Sequence, residues 1–328
     1  MIKEFYFIDL LKQMSASSDS LLEVMTKGRK SEQERHQFGG DWTAAKLDVL
    51  AGYLEAYTTA LKRTPFKLGY IDAFAGTGYR EAKGCSEEVQ SEQSLLFPDL
   101  AQPEPQELLE GSALRALKTE PRFDRYIFIE RSAGRCSQLE QLRQDFPQLA
   151  REIIVRKGEA NEEIREMCRH NWSAHRAVLF LDPYGMQVEW KTIEAVASTK
   201  AIDLWLLFPL GIGVNRLLTK SSKIPDSWRQ RLNLLLGTDQ WYEEFYQVEV
   251  SATLFGAQQA RVIKASMATI GRYFNERLKG VFAGVAEPPG VLRNSSNNPL
   301  YLLCFAVGND HGKGIALRIA NHLLKELR

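Results

Sequence analysis

The chain has 328 residues, a formal charge of +1, 44% hydrophobic residues and 25% charged residues. That balance excludes wholesale disorder. The near-zero charge excludes a bulk electrostatic pull toward nucleic acid or membrane, so any such partner must be met by a local patch. Cys85, Cys136, Cys168 and Cys304 are scattered, with neither a CxxC pair nor zinc-ligand spacing, and are expected to be free thiols in a reducing compartment with no metal. Glu4 and Asp9 interrupt the opening apolar run, and no run approaches the length of a membrane span. These features predict a cytoplasmic protein with no membrane partner.

Residues 1–35 hold a Ser-rich break, "MSASSDS", and a charged stretch, and are read as an N-terminal extension. From Asp41 a helix is expected, because Leu47, Leu50, Leu54, Tyr57 and Leu61 form one apolar stripe, with Asp41 or Thr43 as its N-cap. Five nearly continuous apolar runs follow: "KLGYIDAFAG", "RYIFIERS", "EIIVRKGEA", "AVLFLDPYG" and "AIDLWLLFPLG". Continuous rather than alternating apolarity fits strands buried on both faces of a parallel sheet. Helical segments lie between them, so a doubly wound, mostly parallel Rossmann-like α/β sheet is expected over residues 36–214. An acid-rich excursion over 80–110 interrupts it as a lid-like insertion. Residues 215–278 read as a helical insertion. Residues 279–328 supply two late strands, joined through "RNSSNNP" as an antiparallel edge, and a last helix.

The first strand runs into "YIDAFAGTGYRE", so Phe74, Gly76 and Gly78 sit at its carboxyl end, where open α/β sheets bind ligands. A phosphate, a nucleoside carrying a methyl donor, or a plain tight turn are the alternatives. Phosphate binding needs a helix N-terminus directly after the turn, whereas Tyr79-Arg80 and the excursion follow here. Asp72 would repel an anion but suits sulfonium, ammonium and hydroxyl groups. Glu130 ends the second strand, where an acid can accept ribose hydroxyls, and Glu159 and Asn161 follow the third, where an adenine edge would be read. The set points to S-adenosylmethionine.

The fourth strand ends in Asp182-Pro183-Tyr184-Gly185, a partial match to the Asp/Asn-Pro-Pro-aromatic turn of methyltransferases that modify exocyclic amino groups of bases. A carboxylate there accepts the target N–H, and an aromatic ring stacks on the flipped base. A plain Asp-Pro turn is the alternative. Asp182 and Tyr184 are the catalytic candidates. Pro183, Gly185, Tyr79 and Arg80 are the substrate-lining ones. Arg216, Lys220, Lys223, Arg229 and Arg231, with Trp228 and Trp241, offer a basic, aromatic surface for DNA or RNA, or else a solvated cap with core tryptophans.

The blocks "DWTAAKLDVLAGYLEAY", "YIDAFAGTGYRE", "GSALRAL", "YIFIERS", "LFLDPYG", "DLWLLFPLG" and "PLYLLCFAVGN" occur in an order that resembles the bacterial three-Cys-motif partner family (TcmP), from about residue 36 onward. The resemblance implies a class I methyltransferase-like fold and a three-Cys-motif, radical-SAM-like partner protein. It marks Asp72, Gly76 and Gly78 as the donor loop, Glu130 as the ribose acid and Asp182 to Gly185 as the fourth-strand turn. Ser112 is expected to cap the delayed helix. Two functions remain open: an S-adenosylmethionine-dependent methyltransferase acting on a nucleic acid base amine, and a non-catalytic scaffold that binds the three-Cys-motif protein.

Overall fold

The computed structural model describes residues 42–76, 111–252 and 258–327. The expected elements form in order: α1 (Trp42–Leu61), β1 (Lys67–Asp72), α2 (Ser112–Leu117), β2 (Arg125–Glu130), α3 (Ala133–Asp145), β3 (Ile153–Lys157), α4 (Ala160–Cys168), β4 (His175–Leu181), α5 (Trp190–Ser198) and β5 (Ile202–Phe208). After a π-helical turn, Leu210–Val214, come α6 (Asn215–Leu217), α7 (Asp226–Leu236), α8 (Trp241–Phe245), β6 (Tyr246–Ala252), β7 (Gln258–Lys264) and α9 (Met267–Lys279). The chain then adds β8 (Gly284–Val285), β9 (Gly290–Arg293), β10 (Pro299–Val307) and α10 (Lys313–Leu324).

The main sheet runs β3-β2-β1-β4-β5-β10-β8, with β9 also on β10. The pairs among β1 to β5 are all parallel, while β10 is antiparallel to β5, β8 and β9. This is a mostly parallel mixed sheet of eight strands with a Rossmann-like α/β topology. Strand order reverses between β1 and β4, which makes their carboxyl ends the switch point of the fold.

Apolar residues fill both faces. Leu47, Tyr53, Leu114, Leu139 and Ala320 bring α1, α2, α3 and α10 onto one face. Ile164, Ile193, Leu232, Trp241 and Phe274 bring α4, α5, α7, α8 and α9 onto the other. All seven β5 residues are buried, because helices cover the strand above and below and β4 and β10 flank it. Burying each Leu or Phe contributes about 2 kcal/mol.

Two expectations are corrected and one is met. The stretch read as helical to residue 278 contains the antiparallel β6–β7 ribbon; the alternating pattern of "YQVEVSA" has the two-residue period of a strand. The antiparallel edge forms as expected, with β10 beside β5 and both β8 and β9 paired to β10 at that end of the sheet. Ser112 is the first residue of α2 rather than its cap: Gly111 holds the cap position with no side-chain hydrogen bond. Asp41, Gly78, Tyr79, Arg80, Cys85 and the 80–110 excursion lie outside the described residues.

Candidate functional site

Backbone hydrogen bonds continue past the strand ends and draw the carboxyl-edge loops together. Ala73 donates its N–H to the Phe180 carbonyl at 3.2 Å, and Ala75 donates to the Ile129 carbonyl at 3.2 Å. The loop after β1 is thereby held between the ends of β4 and β2. Gly158 donates to the Glu130 carbonyl at 3.1 Å, which sets the start of α4 beside it. Gly76 has φ +61°, and a Cβ there would meet nothing within 4 Å. This glycine therefore serves the left-handed turn itself rather than a close backbone approach.

Asp72 is fully buried at the end of β1. Burial pushes its carboxyl up to about 7; the Asp182 carboxylate adds to the rise, while the Ser112 hydroxyl, the Phe74 N–H and the Tyr70 phenol favour the charged form. Tyr70 Oη donates to Oδ2 at a long 3.3 Å, and Oδ1 is buried without a hydrogen-bond partner among the described residues. Such a group is expensive to leave unsatisfied.

Glu130 is buried, 8% exposed, at the end of β2. Its Oε1 accepts the Ser132 N–H at 2.8 Å and faces the Arg135 guanidinium at 3.8 Å. A carboxylate oriented by its own loop is pre-set for a ligand hydroxyl. Glu159 caps α4, accepting the Glu162 N–H at 3.0 Å and the Asn161 amide at 2.8 Å. Asn161 also donates to the Gln187 carbonyl at 2.9 Å and accepts the Glu189 N–H and the Thr192 hydroxyl, each at 2.9 Å. Its amide thus makes four bonds within the protein, and what it positions is the turn after β4.

In that turn Pro183 is buried, Gly185 has φ +71°, and Tyr184 stands 72% exposed. Asp182 Oδ2 accepts from Lys46 Nζ at 2.5 Å. The lysine side chain is 5% exposed and the aspartate 26%. Lys46 is the residue of this edge that sequence reasoning did not single out. It lies four residues before Leu50 and seven before Tyr53, so a cation within an apolar stripe was the available signal. Its ammonium also lies 5.0 Å from the Trp42 ring centre, and Trp42 packs on Tyr301 at 5.1 Å.

The structure therefore brings Asp72, Phe74, Gly76, Glu130, Glu159, Asn161 and Asp182 to Gly185 to one edge of the sheet. It buries one of the insertion's tryptophans and leaves the other half-buried. Trp241 is buried, with Nε1 donating to Asn233 at 2.7 Å, and Trp228 packs against the core. Lys220, Lys223 and Arg229 are exposed, with Arg229 over the Tyr242 ring at 4.7 Å. A cleft of about 470 Å³ lined by Thr58, Phe66, Lys67 and Arg125 opens at the opposite, amino-terminal edge and touches none of these acids. Among the described residues no group of His, Cys, Asp or Glu could hold a metal ion, and no helix is long and apolar enough to cross a membrane.

No family model matches the chain, and no curated protein matches it. Among solved structures, a Legionella pneumophila protein of family-model DUF519 is similar at 13% identity and TM-score 0.38, covering 74% of this chain and 92% of its own. A conserved hypothetical protein of Streptococcus pyogenes gives 14% identity and TM-score 0.27, covering 64% and 94%. A candidate methyltransferase of Escherichia coli, yhhF, gives 12% identity and TM-score 0.26, covering 65% and 86%.

Proposed function

We propose that this protein is an S-adenosylmethionine-dependent methyltransferase whose acceptor is an amino group of a nucleic acid base. One observation carries the reading: Asp72, a buried carboxyl with an orphaned oxygen, stands at the switch point beside a second carboxylate, Asp182. Among the described residues Lys46 pairs with Asp182, and Asp72 has no ion pair. A sulfonium or ammonium ligand gives Asp72 a counter-charge and satisfies Oδ1, whereas an anion does neither.

Asp72 and Phe74 would hold the donor's cationic end, Gly76 its loop, and Glu130 its ribose hydroxyls. Glu159 and Asn161 set the adenine side, with Asn161 acting through the turn that it braces. When bound, adenosylmethionine supplies a methyl group made electrophilic by its sulfonium. The chain's task is alignment. Asp182 accepts an N–H of the incoming amine, exposing its lone pair, and takes up the proton that the nitrogen sheds. Tyr184, projecting into solvent, offers a stacking face for an unpaired base. The resemblance to the three-Cys-motif partner family adds that protein to the proposal as a physical partner.

Calorimetry with adenosylhomocysteine tests the donor site. Binding is expected, with affinity reduced at least tenfold by Glu130→Gln. No heat at millimolar ligand overturns the reading. The Lys46 contact on Asp182 favours weighing a second reading, a donor-binding scaffold. Labelled methyl transfer to bulk DNA and RNA separates the two. Incorporation abolished by Asp182→Ala supports the enzyme. Donor binding without incorporation, together with co-purification of the three-Cys-motif protein, supports the scaffold.

A further inference from the structure

Lys46 and Asp182 do more than neutralise one another. Among the described residues, Asp182 is the ammonium's hydrogen-bonding partner, which leaves two of its three N–H groups unassigned inside a nearly closed site. The other Asp182 oxygen is likewise unassigned, and the carboxylate is the more open of the two groups. At the sheet mouth the pair therefore presents an acceptor and a donor side by side. The Trp42 ring backs the donor, and Tyr301 packs behind Trp42.

We infer that Lys46 is a specificity-determining positioning residue: Asp182 accepts the target amino N–H while Lys46 donates to an unprotonated ring nitrogen next to it. This rests on the methyltransferase reading above and narrows its substrate class to bases carrying an amino group beside a bare ring nitrogen. Adenine and cytosine present that edge. Guanine presents it only next to its sugar bond, and its other flank is an N–H that would confront the ammonium. Uracil has no amino group. A site built to hydrogen-bond a polar edge rejects a base lacking it far more strongly than an apolar slot does, because its own groups are then left unpaired.

The test uses the full chain with adenosylhomocysteine bound and short single strands carrying one base of interest in an abasic background. Adenine and cytosine strands are expected to bind at least tenfold tighter than guanine or uracil strands. Replacing adenine by 1-deazaadenine should cost about the same factor, and 7-deazaadenine should cost little. Lys46→Met should erase the 1-deaza discrimination, Lys46→Arg should restore part of it, and both should keep adenosylhomocysteine affinity. Equal binding of adenine and 1-deazaadenine by the natural chain overturns the inference while leaving the donor site standing, and it requires no variant to fold. Failure of adenosylhomocysteine to bind at all overturns the methyltransferase reading, and this inference with it.

Discussion

The two ends of the sheet each bury an aspartate, and they treat it differently. At the amino-terminal end, Asp203 accepts the Tyr53 hydroxyl at 2.7 Å and the Gly308 N–H at 3.0 Å, one on each oxygen. Burial lifts it to about 6 against those bonds and the nearby Arg176. At the carboxyl end, Asp72 has a long hydrogen bond from Tyr70, with Ser112 and Phe74 also favouring its charged form, but among the described residues one oxygen has no partner and a like charge is its neighbour. Both are equally dry. One is finished as structure and ties α1 to β5 and the turn after β10. The other, on the proposed reading, is completed by the bound donor. Burial alone therefore does not distinguish a structural acid from a ligand-binding one; completeness of its hydrogen bonds does.

The sharpest way to break that contrast is to remove each acid in turn. Asp203→Ala strands the Tyr53 hydroxyl and the Gly308 N–H in the core, and urea unfolding should show a loss of about 3 kcal/mol. A loss below about 1 kcal/mol would mean that those bonds do not hold the amino-terminal end. Asp72→Asn removes a carboxyl that the empty site disfavours. Its stability is expected to hold or rise by about 1 kcal/mol, while adenosylmethionine affinity falls at least tenfold, about 1.4 kcal/mol. Parallel loss of stability and binding would place Asp72 with Asp203 as structure.

Titration separates the pair further. Both carboxyls have folded values above their ordinary 3.8. The stability they contribute is full below that value and is lost as pH rises through about 6 for Asp203 and about 7 for Asp72. Binding of a cationic donor runs the opposite way, since it needs Asp72 ionised. Calorimetry from pH 6 to pH 8 should show affinity rising roughly tenfold, and the slope should vanish in Asp72→Asn. The smallest effect belongs to Tyr184→Ala. Its side chain is 72% exposed, so stability should stay within about 0.5 kcal/mol while affinity for single strands drops.

The architecture was legible because buried parallel strands announce themselves as continuous apolar runs, and β1 to β5 all read that way. The acids at strand ends were legible for the same reason: Asp72, Glu130 and Asp182 each terminate such a run. The finished network was not. Lys46 sits on a helix 136 residues away from Asp182 in sequence, and only folding shows that its amine reaches the fourth strand. Asn161 looked like a base reader by position, but three of its four partners, Gln187, Glu189 and Thr192, come from the turn after β4 and from α5, which no local pattern reveals. The β6–β7 ribbon was hidden among long helix-like neighbours, although Val248 and Val262, paired across it, are 64% and 37% exposed.

The position of β10 has a consequence for biosynthesis. Its register partners Trp205 and Phe208 are made roughly a hundred residues earlier, so β5 leaves the ribosome as a strand apolar but for Asp203, with one naked hydrogen-bonding margin. Until translation reaches the last strand, that margin is a template for any extended peptide nearby. Prematurely ended chains should accordingly be captured by holding chaperones or precipitate, and release of the nascent protein should coincide with closure of its sheet.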